Sequence, residues 1–75
     1  MKNANNIQYK FGQQVKLLRK KTNMSQEAFA DKCGLDRTYI SGIERGVRNP
    51  TLQIINTIAK NLDVELSTLF DFDNK

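Results

Sequence analysis

Histidine is absent from this chain, cysteine occurs once, and apolar residues never run together for more than a few positions. Without histidine there is no histidine-based catalytic triad and no histidine-bearing zinc site. Nor does a glycine-rich loop stand between a strand and a helix to cradle a phosphate. These absences argue against an enzyme, and no cofactor, metal or small-molecule ligand is expected. The lone Cys33 rules out a disulfide framework and suits a reducing cytoplasm. It is expected on the buried side of its helix, where a thiol acts as a small apolar group and not as a redox sensor. Apolar runs this short build neither a signal peptide nor a membrane span, so a soluble, cytoplasmic protein is expected. Repeats, low-complexity tracts and a second domain are also missing, as is an aromatic platform on which single-stranded RNA bases would stack.

What the chain does have is charge of one sign in one half. Its 75 residues make a single domain with a small core, which a dimer interface would help to stabilise. The net charge is +4, but residues 10–48 hold nine basic and four acidic side chains while residues 49–75 hold two basic and four acidic. A solvated surface accounts for such an excess; so does a polyanionic partner, to which the first half would turn.

The basic half contains the most organised stretch, M-S-Q-E-A-F-A-D-K-C-G-L-D-R-T-Y-I-S-G-I-E-R-G from Met24 to Gly46. It predicts two short helices joined by a tight turn at Cys33-Gly34-Leu35. Ser25 and Asp36 are suited to cap their first turns. Gly34 marks the left-handed position at which the first helix stops. Phe29, Ala30 and Cys33 face Ile40 and Ile43, with Leu35 closing the corner. Arg37, Thr38, Ser41 and Arg45 are left on the outer side of the second helix. A helix that presents arginine and short hydroxyls, with a polar leading end, is shaped for the major groove of DNA.

Around this unit the apolar spacing predicts three more helices. Ile7, Phe11, Val15 and Leu18 recur along a first helix ending near Thr22, with Leu17 off the stripe and Lys10, Lys16, Lys20 and Lys21 around it. After the loop G-V-R-N-P, with Thr51 or Asn49 as cap, a fourth helix sets Leu52, Ile55, Ala59 and Leu62 toward the core. Ile54 and Ile58 widen its apolar face. Asn61–Val64 turn, and Glu65–Phe70 form a short fifth helix. Residues 1–6 and 71–75 are expected to be loose ends. The fold class is therefore all-α: a five-helix domain over residues 1–75, ordered from 7 to 70, with the helix-turn-helix formed by its second and third helices.

The stretch S-Q-E-A-F-A-D-K-C-G-L-D-R-T-Y-I-S-G-I-E-R-G, continued through N-P-T-L-Q-I-I-N-T-I-A-K-N-L-D-V, resembles the Cro and phage-repressor type of helix-turn-helix protein over nearly the whole chain. G-L-D-R-T-Y-I-S-G-I-E-R-G followed by V-R-N looks like the controller proteins of restriction-modification systems, small dimeric regulators that time expression of the endonuclease. The resemblance implies that Arg19 and Glu44 form a structural ion pair. It also implies that Gln26 meets a phosphate and braces the first residue of the recognition helix, and that Arg45, Arg48 and Asn49 hold the DNA backbone, or that Arg48 instead enters a groove, on the controller pattern.

The residues themselves assign the base contacts. Arg37 and Thr38 follow the Asp36 cap and lie deepest in a groove, where arginine bonds guanine O6 and N7 and a threonine methyl touches that of thymine. Ser41 follows one turn later, within reach of a base edge or a phosphate, and the controller resemblance adds Arg48 to these readers. Tyr39 has two readings: a ring packed on the domain, or a hydroxyl on a phosphate beside Gln26, Arg45 and Asn49. Gly42 is unfavourable inside a helix by roughly 1 kcal/mol relative to alanine, which close approach to DNA or to a neighbouring helix would offset. A single recognition helix reads few base pairs, so a homodimer on a two-fold operator is expected, with half-sites about 34 Å apart. Its interface is expected at Ile54, Ile58, Leu66 and Phe70, with a place in the buried core as the alternative for some of them; Phe72 is another candidate. The alternative is an antitoxin-like protein-interaction module that also represses its own promoter.

Overall fold

Of the five helices among the described residues, four begin on a side chain that accepts a hydrogen bond from their own first turn. The computed structural model describes residues 6–72. Helix α1 (Ile7–Lys21) starts on Asn6, α2 (Gln26–Cys33) on Ser25, α3 (Arg37–Arg45) on Asp36 and α4 (Leu52–Leu62) on Thr51. Only α5 (Leu66–Leu69) follows a residue, Glu65, whose side chain makes no capping bond. No strand occurs among the described residues.

The helices also stop for stated reasons. Gly34 and Gly46 adopt φ of 70° and 83°, a left-handed backbone that favours glycine, and Asp63 does the same at 60°. In each case the following residue bonds back across the end of the helix: Leu35 N–H to Ala30, Val47 N–H to Gly42 and Val64 N–H to Ala59. This doubly bonded ending satisfies carbonyls that the helix leaves unpaired and reverses the chain sharply. α2 and α3 therefore meet at an angle set by three residues.

The core gathers Phe11 and Val15 of α1, Phe29 and Ala30 of α2, Ile40 and Ile43 of α3, Ile58, Ala59 and Leu62 of α4, and Leu69 of α5. All five helices contribute, and α1 packs most extensively on α3. Gly12 is why these two come so close. A methyl group placed there would lie 2.1 Å from the carbonyl oxygen of Ile43 and 2.7 Å from that of Glu44, so the two backbones touch. Gln13 and Gln8 of α1 then donate to the carbonyls of Glu44 and Gly46, at 3.4 and 3.3 Å. They satisfy the acceptor-rich end of α3.

Several expectations need correction. Ile58 is fully buried and belongs to the core, so it is not available to a dimer partner. The buried face of α4 is centred on Ile58 and Leu62, which turns Leu52, at the helix tip, 84% toward solvent instead of into the core. Ile7, also a first-turn residue, is exposed as well. Cys33 is half-buried, and that burial pushes its thiol above the ordinary value. Asn61 lies within α4 and not in the turn, its amide donating to the Thr57 carbonyl. α5 is shorter than its apolar pattern suggested, since Phe70 already leaves helical geometry. Asn6 and residues 71–72, expected to be loose, are described in place, Asn6 as the α1 cap; residues 1–5 and 73–75 lie outside the described part. No helix among the described residues is long and apolar enough to cross a membrane.

Candidate nucleic-acid interface

Two sides of α3 carry opposite kinds of residue. Ile40, Ile43 and Glu44 point inward and are buried, whereas Arg37, Thr38 and Arg45 are exposed and Ser41 is partly so. At 3.6 residues per turn these four outward positions fall on one continuous stripe. Arg37 leads it and Arg45 closes it. Arg45 Nε donates to Ser41 Oγ at 3.4 Å, which lays the arginine along its own helix.

The leading end is fixed by Asp36. Its carboxylate accepts from the Thr38 N–H at 3.1 Å and also from the Thr38 hydroxyl. The hydroxyl first, and then the amide, hold the Asp36 carboxyl below its ordinary 3.8. Thr38 therefore keeps its methyl group as the unengaged end, the part expected to meet a thymine.

Behind the stripe lies a buried polar network. Arg19 Nε donates to Glu44 Oε2 at 2.7 Å, and a second guanidinium nitrogen donates to Oε1 at 3.0 Å. Its remaining terminal nitrogen donates to the Met24 carbonyl at 2.7 Å. Gln26 Nε2 adds a bond to Glu44 Oε1 at 3.0 Å. Glu44 thus faces inward from α3 and is bound by α1 and α2 together, in a forked geometry that only arginine offers. The expectation that Gln26 braces the first residue of α3 is corrected here. Its amide reaches Glu44, near the far end of that helix, because the α2 N-terminus lies over the last turn of α3.

The remaining candidates line the edge of this surface. Arg48 does not extend away from the loop but folds back along α3, with its guanidinium carbon 5.3 Å from the centre of the Tyr39 ring. Tyr39 is half-buried and packed on the core, so its ring serves the domain and supports Arg48 at once. Asn49 is exposed in the loop. Ile54, Leu66 and Phe70 lie elsewhere, on α4 and around α5, away from the stripe.

Gly12, Gln8 and Gln13 were not picked out from the sequence, although they set the position of α3. A glycine in the middle of a strongly periodic helix is the one signal that pointed to such a crossing. The glutamines carried none, since polar residues on an α1 flank read equally well as solvated.

Residues 15–69 match the helix-turn-helix family model HTH_3. Control protein C.BamHI of Bacillus amyloliquefaciens is 54% identical over 70 residues, covering 92% of this chain and 86% of that protein. The crystal structure of the restriction-modification controller protein C.AhdI from Aeromonas hydrophila superposes with a TM-score of 0.82 at 46% identity, over 84% of this chain and 91% of that one. The controller protein C.Esp1396I, solved as a tetramer with its natural 35-base-pair operator, gives 0.80 at 40% identity, over 89% and 88%. With its two motif helices formed as described, the chain belongs to the helix-turn-helix family, where restriction-modification controller proteins are among its relatives.

Proposed function

We propose that this protein is a sequence-specific regulator of transcription that binds double-stranded DNA as a homodimer, of the restriction-modification controller type. The observation that carries the reading is the outward stripe of α3, which is cationic at both ends, capped at its leading end and braced from behind by Arg19, Gln26 and Glu44. Arg37, Thr38 and Ser41 read base edges, with Arg48 reaching them from the loop. Gln26, Tyr39, Arg45 and Asn49 hold the backbone, Gln26 through its place at the α2 N-terminus, where free amides attract phosphate. A relative of similar length, C.Esp1396I, is solved as a tetramer in complex with its operator. The single domain works by binding and not by catalysis, in the cytoplasm and without a cofactor.

The partner copy has an apolar surface available. Leu66, which opens α5, and Phe70, which follows it, are exposed, and Phe70 shares a shallow hollow with Ile7, Pro50 and Ile55. Leu52 extends the patch one turn along α4 from Ile55. With Ile58 in the core, the interface consists of Ile54, Leu66 and Phe70 together with Leu52, Ile55 and Ile7.

Enrichment of duplexes from a randomised pool, followed by footprinting, tests this. A two-fold site with half-sites one helical turn apart is expected. Enrichment of no common sequence would overturn the reading.

A further inference from the structure

Gly42 lies on the flank of α3 between Thr38 and Tyr39, away from the inward face of Ile40 and Ile43, yet it is buried. Arg48 is what covers it. A Cβ built on Gly42 would stand 2.6 Å from Arg48 Cγ, 3.3 Å from Nε and 3.5 Å from Cδ. The aliphatic arm therefore crosses α3 at the one position that carries no side chain, and its guanidinium comes to rest over Tyr39, 5.3 Å from the ring centre. A cation over an aromatic face is attracted by the ring quadrupole.

The ending of α3 leaves this place open. Val47 N–H bonds the Gly42 carbonyl at 2.9 Å. In such endings the residue after the cap commonly packs on the side chain at the position that accepts its bond. Position 42 offers none, Val47 stays 61% exposed, and the next residue, Arg48, fills the slot.

We infer that Gly42 is a positioning residue for DNA binding: its bare backbone forms the slot that seats Arg48 and aims the guanidinium alongside the outward stripe of α3. This rests on the DNA-binding reading above. An arginine already seated loses less freedom when it meets a phosphate or base edge than one that waves in solvent. Even a single methyl group at position 42 overlaps the arm at Arg48 Cγ and displaces it from the slot. Glycine is a poor helix residue, so the sequence keeps here a residue that helix stability alone would replace.

The test uses the duplex that the wild-type protein enriches from a randomised pool, with Gly42→Ala, Arg48→Ala and the double variant measured on it. Gly42→Ala should weaken binding about threefold to tenfold, the cost of ordering one long side chain anew, with thermal stability equal to wild type or higher. In the Arg48→Ala background the same change should alter affinity by less than about twofold. Undiminished loss in that background would mean that Gly42 acts directly on DNA, and no loss in either background would mean that the slot does nothing; both overturn the inference while leaving the DNA reading intact. Enrichment of no duplex by the wild type removes the reading and the inference with it. In the free wild-type protein, NMR should find the Arg48 side-chain protons shifted upfield by the Tyr39 ring. Random-coil positions for them would sink the proposal whatever the variants do.

Discussion

Gly12 of α1 and Ile43 of α3 meet backbone to backbone, with no room for so much as a methyl group between them. Gly12→Ala adds a methyl against a carbonyl oxygen that cannot rotate away, so the two helices must part. A loss of about 2 to 3 kcal/mol is expected, in the upper range for overpacking, despite alanine's better helix propensity. The urea midpoint checks it; an unchanged midpoint would mean that the crossing tolerates a side chain.

Arg19 and Glu44 are both buried, so removing either alone strands the other. Arg19→Met or Glu44→Leu should cost about 3 kcal/mol or more, since each leaves a buried charge without its partner. The pair changed together, Arg19→Met with Glu44→Leu, should cost clearly less than the two single losses combined. Denaturation of the four proteins closes the cycle, and strict additivity would show that the bond does not couple α1 to α3.

Asp36 gives the domain a pH dependence of known sign. Its carboxyl titrates below the ordinary 3.8, chiefly because it accepts from the Thr38 hydroxyl. A folded value below the unfolded one means that the capping contribution is complete above about 4 and is lost as the pH falls through the folded value. Thr38→Val removes the hydroxyl and keeps the shape, so the carboxyl should titrate closer to 3.8 and acid unfolding should begin at higher pH. Carboxyl NMR titration reads this directly, and an unmoved titration would refute the assignment.

Leu52 and Leu66 are exposed in the isolated chain, Leu52 at 84% and Leu66 at 48%. Leu52→Glu with Leu66→Glu should leave the fold intact, since surface changes of this kind shift stability by about 0.5 kcal/mol or less. It should also turn a dimer into an 8.6 kDa monomer in sedimentation velocity. A variant that still sediments as a dimer would place the interface elsewhere.

The parts of this molecule legible in the sequence are those governed by local rules. Ser25, Asp36 and Gly34 have short-range reasons to cap and turn, and they fix α2 and α3 to within a residue or two. Ile58 and Leu52 lie the other way round from the sequence expectation, because five isoleucines and leucines in one short helix define a wide face whose centre depends on what packs against it. Gly12 against Ile43, Gln26 on Glu44 and Arg48 over Gly42 are contacts between elements. Their residue types hint that something is constrained, but only the packing reveals the partner. The outward stripe was legible because it is what remains once the inward residues of α3 are known.

Binding of Arg37→Ala to the enriched duplex and to a scrambled one, measured by fluorescence anisotropy at fixed salt, tests the role of that stripe most directly. The account predicts a loss of about 1 to 3 kcal/mol on the enriched duplex, relaxed preference at one base pair, and little change on the scrambled duplex. Equal losses on both duplexes would contradict it.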